Sequence, residues 1–119
     1  MDVDGGNVPS MLLLDETLDA ATPFEGSLEV RERFPQASLI ATVGGTNHAN
    51  SLFGGVPCVD DAVAAYLADG TLPARVAGRS ADAECEPAPD PEPTAPLART
   101  APTSMPADIR RQLQPRRGR

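Results

Sequence analysis

Apolar positions come in two spacings along the first 73 residues, and they predict a short α/β unit. Ser10-Met11-Leu12-Leu13-Leu14 is a continuous apolar run without alternation, as expected of a strand buried on both faces of a parallel sheet. Asp15 to Ala21 reads as a turn. Thr22-Pro23-Phe24-Glu25 then reads as a helix start, with Thr22 as N-cap, Pro23 in the first position and Glu25 closing a capping box. The helix is expected to run to about Phe34, where Pro35 ends it. Phe24, Leu28, Val30 and Phe34 fall within about 160° of arc, with Ser27 and Arg31 inside it, and form the expected packing face. Ser38-Leu39-Ile40-Ala41-Thr42-Val43 is the second strand, stopped by Gly44-Gly45. A glycine- and asparagine-rich loop follows to Pro57. A second helix then carries the stripe Val59, Ala62, Val63, Tyr66 and Leu67, with Asp60 and Asp61 favouring its N-terminal dipole and Gly70 giving a left-handed stop. Residues 74–85 read as a polar lead-out ending at Cys85. The fold class expected is α/β, a βαβα arrangement with a right-handed crossover between its two parallel strands.

Composition changes this picture mainly beyond residue 85. Eight of the 13 prolines lie between Pro87 and Pro115, and the apolar side chains larger than alanine there are only Leu97, Met105, Ile109 and Leu113. Such a segment buries too little surface to offset its ordering entropy, so 1–85 is expected to be the domain and 86–119 a disordered tail. A body of about 85 residues is marginal as an independent fold. Charge divides the same way. Residues 1–85 carry thirteen acids and four arginines, a net −9, and 86–119 carry four acids and six arginines, a net +2, consistent with −7 for the whole. An acidic body argues against a nucleic-acid partner, since phosphate contacts need a basic face. The Arg110-Arg111 and Arg116-Arg117-Gly118-Arg119 clusters read as a solvated end, with contact to an anionic surface as the alternative. No apolar run approaches a membrane span, and Met1-Asp2-Val3-Asp4-Gly5-Gly6 lacks the basic start and apolar middle of an export signal. As written, the chain is expected to stay in the cytoplasm. Cys58 and Cys85 are then two free thiols, or a disulfide if the chain or its parent is exported. Neither cysteine has metal-ligand company, so no metal or other cofactor is expected.

The candidate chemistry lies at the carboxyl ends of the two strands, where open parallel sheets bind ligands. The Asp19 turn follows the first strand and the His48 loop follows the second, so adjacent strands bring the two together. A histidine acting as general base needs its other ring nitrogen fixed by a carboxylate, which sets the tautomer and stabilises the imidazolium. Asp19 and His48 are therefore the candidate catalytic residues; the plainer alternatives are a turn aspartate and a solvated loop histidine.

Val8-Pro9-Ser10-Met11-Leu12-Leu13-Leu14 followed by Thr17-Leu18-Asp19-Ala20-Ala21-Thr22-Pro23-Phe24-Glu25 resembles the seventh strand and acid turn of α/β-hydrolases. More narrowly, residues 8–85 resemble the C-terminal domain of the tripeptidyl-aminopeptidase-like (TAP-like) α/β-hydrolases, mostly secreted serine peptidases related to prolyl aminopeptidases. The resemblance implies that Asp19 of the D-x-x-T-P motif is the triad acid and His48 the triad base. It also places Cys58 before the helix that ends in Tyr66-Leu67-Ala68-Asp69-Gly70-Thr71-Leu72-Pro73, and makes Cys85 the second cysteine of the family pattern. Two positions depart from that pattern. Asn47 stands where glycine usually precedes the histidine, and Asp15-Glu16 replaces a glycine common shortly after the first strand.

The nucleophile is missing from this set. A G-x-S-x-G elbow places serine on a strained turn between strand and helix. None of Ser10, Ser27, Ser38, Ser51, Ser80 or Ser104 lies in such a motif; Ser51 is near His48 in sequence but lacks the elbow. The expected function is the C-terminal part of a serine hydrolase or exopeptidase, inactive alone, whose partner is an upstream hydrolase portion supplying the serine. The family implies a peptide or a small amide or ester as substrate. The alternative is a non-catalytic remnant or small interaction module. An in-frame G-x-S-x-G in the DNA preceding Met1 would favour the first reading, and its absence the second.

Overall fold

The computed structural model describes residues 3–49, 51–52 and 54–93. The chain divides into two units, Met1–Pro89 and Asp90–Arg119. Of the second, only 90–93 are described, and they form neither helix nor strand. The expectation of a disordered tail thus falls, from residue 94 onward, outside the described residues.

The first unit is a parallel three-stranded sheet with two helices. β1 (Met11–Glu16), α1 (Phe24–Arg33), β2 (Ala37–Thr42), α2 (Pro57–Asp69) and β3 (Ala83–Cys85) follow in chain order. The strands lie in the order β1-β2-β3. β1 and β2 pair from Met11↔Ala37 to Glu16↔Thr42, and β2 and β3 from Ile40↔Ala83 to Thr42↔Cys85. The expected parallel α/β arrangement is present, with one more strand than the sequence pattern indicates. β3 has three residues, one of them Glu84, and is too short for its alternation to be read.

All six residues of β2 are buried, which accounts for its unbroken apolar character. Ile40 packs with Val56, Val59 and Cys85, and Leu12, Leu14, Ala62, Val63 and Ala83 close around them. Ala88 rests on the same cluster, so packing continues past Cys85. Leu39, fully enclosed, alternates with Ile40 along the strand and so belongs to the opposite face.

Several local expectations are corrected. Asp15 and Glu16 belong to β1 and not to a turn, because both pair with β2. Thr22 does not cap α1: the helix begins at Phe24, its N-cap is Pro23, and no side chain caps it. The Thr22 hydroxyl is turned to Asp19 instead. The buried face of α1 centres on Leu28 and Arg31, and Val30 is exposed. Along the α2 stripe only Val59 is buried, and Leu67 is 77% exposed because nothing among the described residues covers that side. Gly70 ends α2 with φ 80°, and its N–H donates to Tyr66 O, as its sequence position indicates.

Residues 74–85 are a clamp, not a lead-out. The Asp82 carboxylate accepts two bonds from Arg31, Nη2 at 2.5 Å and Nε at 2.7 Å, and one each from the Leu39 and Val76 N–H groups. The remaining Arg31 donors reach the carbonyls of Gly78 and Val76. Arg75 donates to the carbonyls of Arg31, Phe34 and Ala37, covering the C-terminal end of α1 where carbonyls lack helical partners. A disulfide joins Cys58 at the start of α2 to Cys85 in β3.

Candidate active site

The acid turn is fixed by its own backbone. After β1, the Thr17 N–H donates to Thr42 O, the Leu18 N–H to Gly45 O and the Asp19 N–H to Glu16 O. Asp19 is thereby pulled against the end of β2 and buried. Its Oδ1 accepts the N–H groups of Ala21 at 2.7 Å and Thr22 at 3.3 Å, a local turn in which the carboxylate takes the place of a backbone carbonyl. Its Oδ2 accepts the Thr22 hydroxyl at 2.5 Å and lies 2.8 Å from His48 Nδ1. An ionised carboxylate can only accept, so Nδ1 carries the proton, and in the neutral imidazole Nε2 holds the lone pair. The hydrogen bond from Thr22 and then that from His48, aided by the Ala21 and Thr22 N–H groups, hold the Asp19 carboxyl far below the usual carboxylate range against the opposing effect of burial.

The His48 loop is tied to the acid turn from its first residues. Gly44, at φ 83°, donates its N–H to Thr17 Oγ1, and the Gly45 N–H donates to Thr42 O. The Asn47 N–H then donates to Glu16 Oε2 at 2.5 Å. The His48 side chain is 58% exposed while that of Asp19 is 4% exposed. Ala49 and Leu52 adopt left-handed φ values of 59° and 66°. Such values are costly for residues with a Cβ and common where backbone strain serves a site. A cavity of about 240 Å³ opens here, lined among others by Glu16, Asp19, Thr22, His48 and Ser51.

The structure thus brings Asp19 and His48 together, in the orientation a histidine base needs. Three of the described serines have hydrogen-bond partners elsewhere. Ser10 meets the Tyr66 hydroxyl, Ser27 donates to Asp15 and Ser38 donates to Pro73 O. Ser51 lines the cavity. Ser104 lies outside the described residues. Two members of the site escape a reading by sequence. Thr22 reads as a helix cap, and Glu16 reads only as an added charge beside the acid. The signal for Thr22 is its place in D-x-x-T-P; local spacing does not single out Glu16, whose partner Asn47 lies 31 residues away. No cluster of metal-ligating side chains occurs among the described residues, and no helix among them is long and apolar enough to cross a membrane.

Comparison with known proteins bears on the whole unit. A family model described as TAP-like protein matches residues 2–85. The tripeptidyl aminopeptidases of Streptomyces lividans and Streptomyces coelicolor are each 36% identical to the chain over 90 residues, 75% of this chain and 15% of theirs. The chain spans about 15% of the length of the curated relatives it matches. No solved structure matches it.

Proposed function

This chain belongs to the TAP-like protein family of hydrolases, and from that premise we propose that it supplies the acid and base of a serine peptidase triad, with the nucleophile on polypeptide outside its 119 residues. The observation that supports this reading most directly is the 2.8 Å contact of His48 Nδ1 with Asp19 Oδ2. With Nδ1–H held by the carboxylate, Nε2 is the atom free to take a proton. A serine hydroxyl delivered to Nε2 would lose its proton there as its oxygen attacks a peptide carbonyl. The imidazolium then returns that proton to the leaving amine, and water repeats the sequence on the acyl ester. Asp19 remains ionised throughout, as its depressed pKa favours. Substrates are short peptides or related amides and esters with a free end, by analogy with the tripeptidyl aminopeptidases. Alone, the chain lacks the covalent step and is inactive, since positioning of a base does not replace a nucleophile.

The second reading is a non-catalytic interaction module. It draws on β1, which lies at the edge of the sheet with Met11–Leu14 only half-buried. One experiment separates the two. Residues 1–93 replace the matching segment of a tripeptidyl aminopeptidase that retains its own G-x-S-x-G serine. The chimera should cleave aminoacyl chromogenic substrates, His48→Ala should lower its kcat at least about a thousandfold, and the isolated chain should show no turnover. A folded but inert chimera, or serine-dependent turnover by the chain alone, would overturn the proposal.

A further inference from the structure

A buried acid at the end of β1 meets the histidine loop in space. Glu16, the last residue of β1, accepts the N–H of Asn47, the residue before His48. Glu16 is 1% exposed. Its Oε1 is buried without a hydrogen-bond partner among the described residues. Burying a carboxylate so incompletely matched is costly, so packing alone gives no reason for it. The loop is shaped to receive it: a Cβ at Gly45 would overlap Glu16 Oε2. Gly45 does not adopt a left-handed φ, so the demand at this glycine is for space and not for backbone freedom. The contact acts one residue before the imidazole, closer to His48 than the bonds at Gly44 and Gly45.

We propose that Glu16 is a positioning residue whose carboxylate, by holding the Asn47 N–H, sets the His48 loop at the height where Nδ1 meets Asp19. This rests on reading Asp19 and His48 as the functional pair. A side-chain anchor thereby fixes the backbone of the residue next to the imidazole.

The test uses the full chain, isotopically labelled, with Glu16→Ala, Glu16→Gln and Gly45→Ala, read by NMR. In Glu16→Ala the Asn47 amide should exchange about tenfold faster, as expected for loss of one hydrogen bond. The protected His48 Nδ1–H signal should disappear, and the Asp19 carboxyl should titrate closer to the ordinary carboxylate range. Gly45→Ala leaves Glu16 in the chain but pushes its carboxylate aside, and should do the same. Glu16→Gln keeps an acceptor oxygen and should preserve all three signals. Slow exchange of the Leu39 amide, held by Asp82, reports that the sheet is intact. If Glu16→Ala does not fold, Gly45→Ala against Glu16→Gln decides. Unchanged Nδ1–H and Asp19 signals in the folded variants would overturn the role, as would Glu16→Gln behaving like Glu16→Ala. Hydrolysis is not measured, so an inert chimera would refute the proposed function while leaving this result to stand or fall separately.

Discussion

Two aspartates with enclosed side chains, each with a basic partner, do opposite things in this chain. Asp82 and Arg31 have side chains 0% and 2% exposed, while Asp19 and His48 are 4% and 58% exposed. Both carboxylates are saturated by N–H and O–H donors, so the difference lies in the partner. Arg31 commits its donors to Asp82, Gly78 and Val76, which leaves it no chemistry to offer. His48 binds Asp19 through one nitrogen, and under the proposed function the other takes the proton. A buried bidentate pair fixes the scaffold, whereas the second pair leaves its imidazole more than half exposed.

The largest effect that would break this contrast comes from removing one partner of the scaffold pair. Asp82→Ala leaves Arg31 enclosed without its counter-charge and should lower stability by about 3–5 kcal/mol, or abolish folding, in urea unfolding followed by circular dichroism. Asp19→Ala should cost much less, because His48 is already largely in water; equal losses would show that the two pairs serve the same purpose. Next comes the disulfide, which closes a loop with a sequence separation of 27 residues. Cys58→Ser/Cys85→Ser should lower stability by about 2–4 kcal/mol. Amide exchange should rise first at Ala83–Cys85 and leave the Asp19 turn protected, which would assign the disulfide to the scaffold region.

The smallest effect concerns acid. Burial drives the Asp82 carboxyl upward, but the Arg31 guanidinium and the Leu39 and Val76 N–H groups together hold it below its ordinary value; Asp19 is depressed by Thr22 and His48. A carboxylate depressed in the folded state stabilises fully above its unfolded pKa, about 3.9, and loses that contribution as pH falls toward the folded value. Stability should therefore be insensitive to these two groups above about pH 5 and decline below pH 4. Thr22→Val removes the leading cause of the Asp19 shift. It should bring Asp19 protonation closer to the ordinary range by carboxyl NMR while leaving Asp82 unmoved; a parallel shift of Asp82 would mean that the two regions are coupled.

Legibility in the sequence followed the length of each pattern. The Met11–Leu14 and Leu39–Ala41 runs, the proline at the end of α1 and Gly70 after α2 each act over neighbouring residues, and so β1, α1, β2 and α2 were readable within a few positions. Thr22 was misread because its hydroxyl had two acceptable uses, a helix cap and the Asp19 carboxylate, and local spacing does not choose between them. Arg31 looked like an interruption in an apolar face because its partner Asp82 lies 51 residues away. β3 could not be read at all, since three residues gain their place only through β2 and the Cys58–Cys85 link.

The sequence by itself therefore determined the order β1, α1, β2, α2, the acidic body and the two residues, Asp19 and His48, that follow consecutive parallel strands. Backbone propensity and side-chain periodicity act locally, and that information is written in consecutive residues. Only the tertiary structure decided which oxygen of Asp19 meets Nδ1, that Thr22 shares it, that Glu16 supports the loop and that Asp82 is enclosed with Arg31. Apart from Thr22, three residues from Asp19, these depend on groups 29 to 51 residues apart competing for the same few donors. That competition is settled by burial and distance, and neither exists before the chain is folded.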